Sequence, residues 1–359
     1  MTKKLVATTV IFLMALVIGP SSAWSVGGQC ADCHTMHDSQ GGAAVAVGGP
    51  HDRLISATYS STNPCLGCHG GDDYQSGDAT PYVLGTNLLE SDDLAGGNFA
   101  YHATGDAYVH NVLGSSVDDD ATLAAVPPGY DSLNYPDPDA FVRYTGGTTT
   151  RLQCAGTYGC HGNATNSDPY DAISGAHHGN ASGTLTTADT VGNSYRFLYG
   201  VMGIEDSDWE NTADDADHNQ YHGIHRTDDV SPDSATISYL CCQCHGDFHE
   251  AGASGGSPWT RHPTDFDLSE ATGTEYASYN ADNSYSIIAP VASDVTTDGE
   301  VEAVVLDESG EYDAIVTCLS CHRAHGSAYP DLLRWDYSAI DAGGGDGNVG
   351  CFICHTTKD

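Results

Sequence analysis

Five stretches of this 359-residue chain share one arrangement. Two cysteines stand two residues apart with a histidine directly after the second: CADCH (30–34), CLGCH (65–69), CCQCH (241–245), CLSCH (318–322) and CFICH (351–355). The spacing has a chemical reason. Two thiols can add across the two vinyl groups of a porphyrin, and a two-residue turn spans those vinyls. The adjacent histidine then lies beneath the iron as its proximal ligand. Zinc ribbons and redox dithiols also pair cysteines, but neither requires a histidine after every second one. The motifs therefore point to covalent c-type haem. Cys30, Cys33, Cys65, Cys68, Cys241, Cys244, Cys318, Cys321, Cys351 and Cys354 are the thioether donors, and His34, His69, His245, His322 and His355 the proximal ligands.

These motifs use ten of the 13 cysteines and leave Cys154, Cys160 and Cys242. In CCQCH the spacing selects Cys241 with Cys244, so Cys242 is spare. Cys154 and Cys160 lie in LQCAGTYGCHGN (152–163), where five residues separate them. One reading is a disulfide around a glycine-rich loop. The other is a sixth haem site, because His161 follows the second cysteine as in the other motifs. Gly156 and Gly159 would let the extra residues bulge while both sulfurs reach the vinyls. The sixth site, Cys154 and Cys160 with His161, is the reading adopted.

Each iron also has a second axial position. Of 18 histidines, six are proximal and twelve remain, against only Met36 and Met202 beyond residue 23. Two methionines cannot serve six irons, so bis-histidine ligation is expected, and with it low potentials, since methionine is the ligand that raises them. His37, His249 and His325 lie just past a motif. Each is too close to its own proximal histidine to reach the far face of the same ring, and is placed to reach another haem. The isolated His51, His102, His222 and His225 read as ordinary polar residues.

The elements that must position these groups are sparse. Lys3, Lys4, the apolar run Leu5–Ile18 and the small residues Pro20–Ala23 form an export signal over residues 1–23, too short to span a membrane. Residues 24–359 are expected to form one hexahaem unit. With 49 Asp+Glu against 11 Lys+Arg, nucleic acid and anionic membrane are poor partners. The Asp-rich loops 135–140 and 214–218 are candidate Ca²⁺ sites, although neither has the EF-hand pattern. Seven Phe, four Trp and 42 Gly leave little for a large side-chain core, so haem must supply the apolar interior. The expected fold class is mostly irregular coil with short helices and few short strands, organised around a continuous haem chain, with helices attached to the motifs. Residues 301–316 read as two short strands about a turn, and 194–204 as a strand or a core segment.

The segments GGQCADCHTMHDSQGG, CCQCHGDFHE followed by TRHP (260–263), CLSCHRAHGS and CFICHTTKD resemble the extracellular hexahaem cytochromes of the OmcS type, in motif order along the whole chain after the signal. The resemblance implies little regular secondary structure around a haem chain of alternating stacked and T-shaped contacts. It implies that His37 ligates, in a neighbouring identical subunit, the haem of Cys318, Cys321 and His322. His110, His249, His262 and His325 fall where that family places histidines near motifs. No histidine follows the third motif at short range, and the adjacent pair His177 and His178 stands in for it.

The resulting expectation is an extracellular or cell-surface electron conduit, head-to-tail in a filament, exchanging electrons with other cytochromes or extracellular acceptors. Alternatives are a monomeric periplasmic or surface carrier and, less favoured, a multihaem reductase. An enzyme would need an open iron, and all six motifs here end in histidine. The intact mass of the processed protein checks the count: six haem additions are expected, and five would return Cys154 and Cys160 to a disulfide.

Overall fold

A computed structural model of the chain describes residues 34–35, 39–40, 43–44, 63, 65–71, 80–85, 93–112, 127–130, 152–177, 190–215, 217–225, 233–248, 264–268, 279, 285–294, 296–297, 300–301, 314–341 and 349–356. Among these, regular structure is scarce. The α-helices are α1 (Leu66–His69), α2 (Pro169–Ala172) and α3 (Ile237–Cys242). The strands are β1 (Ser39–Gln40), β2 (Ala43–Ala44), β3 (Gln153–Ala155), β4 (Gly159–His161), β5 (Gly203–Ile204), β6 (Gln220–His222), β7 (Phe266–Asp267), β8 (Ala292–Ser293), β9 (Thr296–Thr297), β10 (Glu300–Val301) and β11 (Ile315–Val316). Helical turns mark four of the motifs as expected, whereas the third lies in β3 and β4. α1 and α3 carry the second and fourth, and 3-10 turns at Cys318–Ser320 and Gly350–Ile353 carry the fifth and sixth. Thr236 caps α3 by accepting the Tyr239 N–H, which fixes where the CCQCH turn begins.

One five-stranded sheet, ordered β5-β6-β8-β11-β7, holds the C-terminal half together. Ala292 is its hub. It pairs with Tyr221 in parallel and Ile315 antiparallel, and both Ala292 and Ile315 are fully buried. Gly223 is required beside them, since a Cβ there would lie 2.8 Å from that of Ala292. Residues 301 and 315–316 are in strands as the sequence indicates, but not with each other. β10 pairs with β9, and β11 pairs with β7 and β8. Residues 194–204 are two tight turns, with Arg196 and Phe197 at positive φ, followed by the short β5.

Among the described residues the apolar side chains form three separate patches. Phe99, Val109 and Val112 pack with Val83, Leu84, Leu152 and Cys154. Tyr195, Leu198, Val201, Tyr221, Ile237, Leu240, Ala292 and Ile315 form a second patch, touched by Leu319. A third gathers Leu268, Tyr279, Tyr285, Val291, Val316, Trp335 and Ile353 against Cys321, Cys351 and Cys354. Each patch borders motif residues, as expected of a chain whose interior is completed by a non-protein group. Tyr279 shows how the third is secured: its hydroxyl donates to Ala289 O (2.6 Å) and accepts the Ser286 N–H (3.0 Å).

The signal segment, Cys30, Cys33, His37, His51, His178, His249, His262 and the loop 135–140 lie outside the described residues. Among the described residues no helix is long and apolar enough to cross a membrane.

Candidate haem sites

The second to sixth motifs approach one another through their cysteines. The Cys65 thiol hydrogen-bonds Cys154, which together with burial pushes it far above the usual thiol range. Cys160 lies within electrostatic reach of Cys241, and Cys241 hydrogen-bonds Cys318. Cys321 feels Cys354 and Cys351, and burial raises it to about 12. Consecutive motifs therefore meet through their cysteines. No disulfide joins the described cysteines, Cys154 and Cys160 included. Cys154 faces Cys65 and Asn63, whose amide lies 3.4 Å from its sulfur, whereas Cys160 is exposed. Cys242, the spare thiol, is buried and donates to Tyr239 O (2.9 Å).

The stretched third motif is a tight coil. β3 and β4 run parallel, Gln153 opposite Gly159 and Ala155 opposite His161, with only three residues between them. A parallel pair ordinarily needs a long crossover. Here the chain winds directly over itself, with Gly156 at φ +95° and the Gly159 N–H on Gly156 O (2.9 Å). A Cβ on Gly159 would lie 2.4 Å from the Ala155 backbone.

Four motif histidines are anchored in the same way. The Nδ1 of His69 meets Pro81 O (2.9 Å), that of His161 meets Arg196 O (2.9 Å), that of His245 meets Pro128 O (2.6 Å) and that of His322 meets Asp331 O (2.7 Å). With Nδ1–H donated to a carbonyl, Nε2 keeps its lone pair for a metal and the ring cannot swing. Two of these anchors are the same device. Arg196–Phe197 and Asp331–Leu332 each place two successive residues at φ between 48° and 61°. The first carbonyl takes the motif histidine, and the second takes the next backbone N–H: Gly162 to Phe197 O (2.7 Å) and Arg323 to Leu332 O (2.8 Å). The third motif, irregular in sequence, is thus held like the regular fifth. Left-handed non-glycine residues cost about 1–3 kcal/mol each and persist only where the surroundings enforce them. Around Arg196, Glu205 accepts its backbone N–H (2.7 Å) and guanidinium (3.2 Å), while Asp206 O and Asn219 Oδ1 take the other nitrogen (both 2.8 Å).

Three motif histidines face a second imidazole. His69 and His177 have ring centroids 6.1 Å apart, His110 and His245 6.2 Å, and His161 and His325 6.3 Å. Tilted ring pairs occur at such separations, and so would two imidazoles that ligate one metal. Two histidine–metal bonds of about 2.0 Å each, plus about 1.1 Å from each nitrogen to its ring centre, place the centroids about 6.2 Å apart. The residues thus fit an iron between each pair, with His177, His110 and His325 as second ligands. Burial lowers His110 to about 4 and His325 to about 3, so both rings are neutral near pH 7 and able to ligate. His110 is anchored on Ala324 O (2.7 Å), and the Phe99 ring packs 4.7 Å from His325.

The pairing differs in detail from the sequence reading. The His325 ring stands opposite His161 of the third motif. His177 stands opposite the second motif rather than the third. His225 is of another kind: its Nδ1 accepts the Asp267 N–H (2.9 Å), which puts the proton on Nε2 and agrees with an ordinary polar role. His34 is half-buried, and His355 closes the turn of the last motif, its N–H on Cys351 O (3.0 Å). At the Asp-rich loop 214–218, Asp214 Oδ1 caps the Asp217 N–H (2.9 Å), and no cation-binding cluster occurs among the described residues. The anchoring carbonyls escaped sequence reading. Only the PPG turn at 127–129 carried a local signal for one.

Comparison with known proteins agrees with the motif reading. A family model described as a doubled CXXCH motif matches residues 313–359, which hold the fifth and sixth motifs. C-type cytochrome OmcS of Geobacter sulfurreducens is 25% identical over 400 aligned positions, covering 92% of this chain and 84% of that one. Two solved structures also match, titled as the Outer Membrane Cytochrome S filament and as OmcS nanowires from Geobacter sulfurreducens. They are 19% and 21% identical, each with a TM-score of 0.40 over 89% of this chain and 86% of the other. The chain is OmcS-like in sequence along nearly its whole length.

The coil at the third motif generates a test. Gly159→Ala forces the backbone apart and should destabilise the protein by about 1–3 kcal/mol or more. The expected readout is an intact mass lacking one haem, or a lowered melting temperature; an unchanged mass and melting curve would mean the coil is not needed.

Proposed function

We propose that the chain carries six haem c groups in one continuous row, each iron closed by two histidines, and conducts electrons outside the cell. The three histidine pairs at 6.1–6.3 Å carry this reading. It is supported by the contact of successive motifs and by similarity to a c-type cytochrome over most of the chain. When bound, the haem supplies one-electron iron chemistry. The chain does the rest. Cys30, Cys33, Cys65, Cys68, Cys154, Cys160, Cys241, Cys244, Cys318, Cys321, Cys351 and Cys354 fix position. The six motif histidines hold one axial site, and His177, His325 and His110 hold the other on the second, third and fourth groups. His37, His178, His249 and His262 remain for the first, fifth and sixth. With both axial sites filled no substrate reaches an iron, so the protein is a conductor and not a reductase.

His322 favours assembly. Its ring is anchored like the others, yet among the described residues no histidine stands opposite it at the spacing of the other pairs. We assign that position to His37 of an identical neighbour. Such a contact is heterologous, so repetition gives an open filament unless rotation closes a ring. A filament of this kind belongs outside the cell.

Two substitutions test the reading. His325→Ala should leave one iron five-coordinate, seen as a high-spin signal and as carbon monoxide binding to the reduced native protein. A wholly low-spin spectrum would remove His325 from the ligand set. His37→Ala should abolish filaments in electron micrographs while haem content is kept. If wild-type protein forms no filaments, the monomeric carrier is the correct alternative.

A further inference from the structure

Arg196, half-buried, and Arg334, buried, stand beside two equivalently anchored motif histidines, and they differ in their partners. Arg196, which provides the carbonyl for His161, is neutralised: Glu205 lies 3.2 Å away. Arg334 follows the strap that anchors His322. Its backbone N–H donates to Cys321 O (2.9 Å), and its Nε donates to Leu319 O (2.6 Å) and His322 O (3.3 Å). One terminal nitrogen reaches Ile287 O (3.4 Å), and the other is buried without a hydrogen-bond partner. Arg334 is only 5% exposed, and among the described residues no carboxylate pairs with it. Its field falls instead on the hydroxyls of Tyr221, Tyr279 and Tyr285 and on Cys321, groups whose protons burial retains. Glu210 also acts on Tyr221 and Tyr285 but is not paired with Arg334, and a buried cation with no carboxylate partner among the described residues is a costly arrangement.

We propose that Arg334 sets the potential of the haem on the fifth motif, making it the most readily reduced member of the row. Adding an electron to an iron removes one positive charge from it, so a fixed cation nearby favours the reduced state. The interaction is strong because the site is dry and screened little by salt. The third haem, beside a neutral ion pair, receives no such bias. Arg334 acts through the electrostatics of the site and through the turn it clamps. It is a positioning and tuning residue and touches no reacting atom. The high-potential site would then sit at the position assigned to the subunit junction, where an arriving electron is held until the next group accepts it.

The inference rests on the fifth motif carrying a haem, which the mass of the peptide containing Cys318 and Cys321 establishes separately. The test is a potentiometric titration of the full-length, haem-loaded protein, followed by the ferric low-spin signals of individual haems. Arg334→Gln should lower one couple by roughly tenfold in its reduction equilibrium, about 59 mV for one electron, and leave the others in place. Arg334→Lys, which keeps the charge and loses the fork, should restore most of that shift. Equal shifts in Gln and Lys, or none in either, would overturn the proposal, because a purely structural clamp does not distinguish charge. Should neither variant load haem, the wild-type protein decides. Its highest-potential couple is expected to stay put as salt rises, and a couple that moves with salt like the rest would reject a buried cation as the cause.

Discussion

An imidazole offers one ring nitrogen to a metal in a fixed direction only when its other nitrogen is held. In this protein the holding groups are backbone carbonyls, and most come from far away in sequence. Pro128 serves His245, Arg196 serves His161 and Ala324 serves His110. Much of the architecture follows from that requirement. The histidines of the second to fifth motifs receive a carbonyl from another segment, and those of the second to fourth face an imidazole from another, so the chain crosses between sites instead of finishing one before starting the next. Residues 321–326 show the density of the result. Within six positions they supply a thiol, a motif histidine, the anchor of His110 and the imidazole facing His161. Gly96 and Gly97 are needed to let that segment pass, since a Cβ on Gly97 would fall 1.8 Å from Gly326 O.

The same requirement accounts for the poverty of regular structure. A sheet or helix satisfies its backbone locally, whereas an anchoring carbonyl must be left over for a side chain. The paired left-handed residues at 196–197 and 331–332 are how that is done twice: each turns the chain so that two adjacent carbonyls face one motif. The side-chain core is correspondingly divided into three patches, each ending on motif residues.

Several features were legible because they depend on covalent reach. Cysteines two residues apart and a following histidine identify an attachment site wherever the chain later goes. The short helices on the motifs were equally readable, because a two-residue spacing already describes a turn. Pairing was not. His177 faces His69 and not His161, although nothing within either segment distinguishes the two. β10 and β11 lie at the ends of a stretch that looks like a hairpin, and each found a partner elsewhere, since a two-residue strand has too little pattern of its own to select a register. Arg334 carries no motif. Its interest lies in what does not accompany it, and only the surroundings reveal that.

By itself the sequence indicated the chemistry of this protein: CxxCH spacing that suits covalent haem, histidines numerous enough to fill second axial positions, and a strongly acidic chain poor in Phe and Trp and rich in Gly. These are properties of residue type and local spacing, and folding cannot alter them. The tertiary structure alone decided which imidazole faces which, which carbonyls orient the rings of the second to fifth motifs, and that Arg196 has a carboxylate partner where Arg334 has none among the described residues. Those depend on distances between segments tens to hundreds of residues apart, and such distances are set by packing, to which no local pattern in the chain gives access.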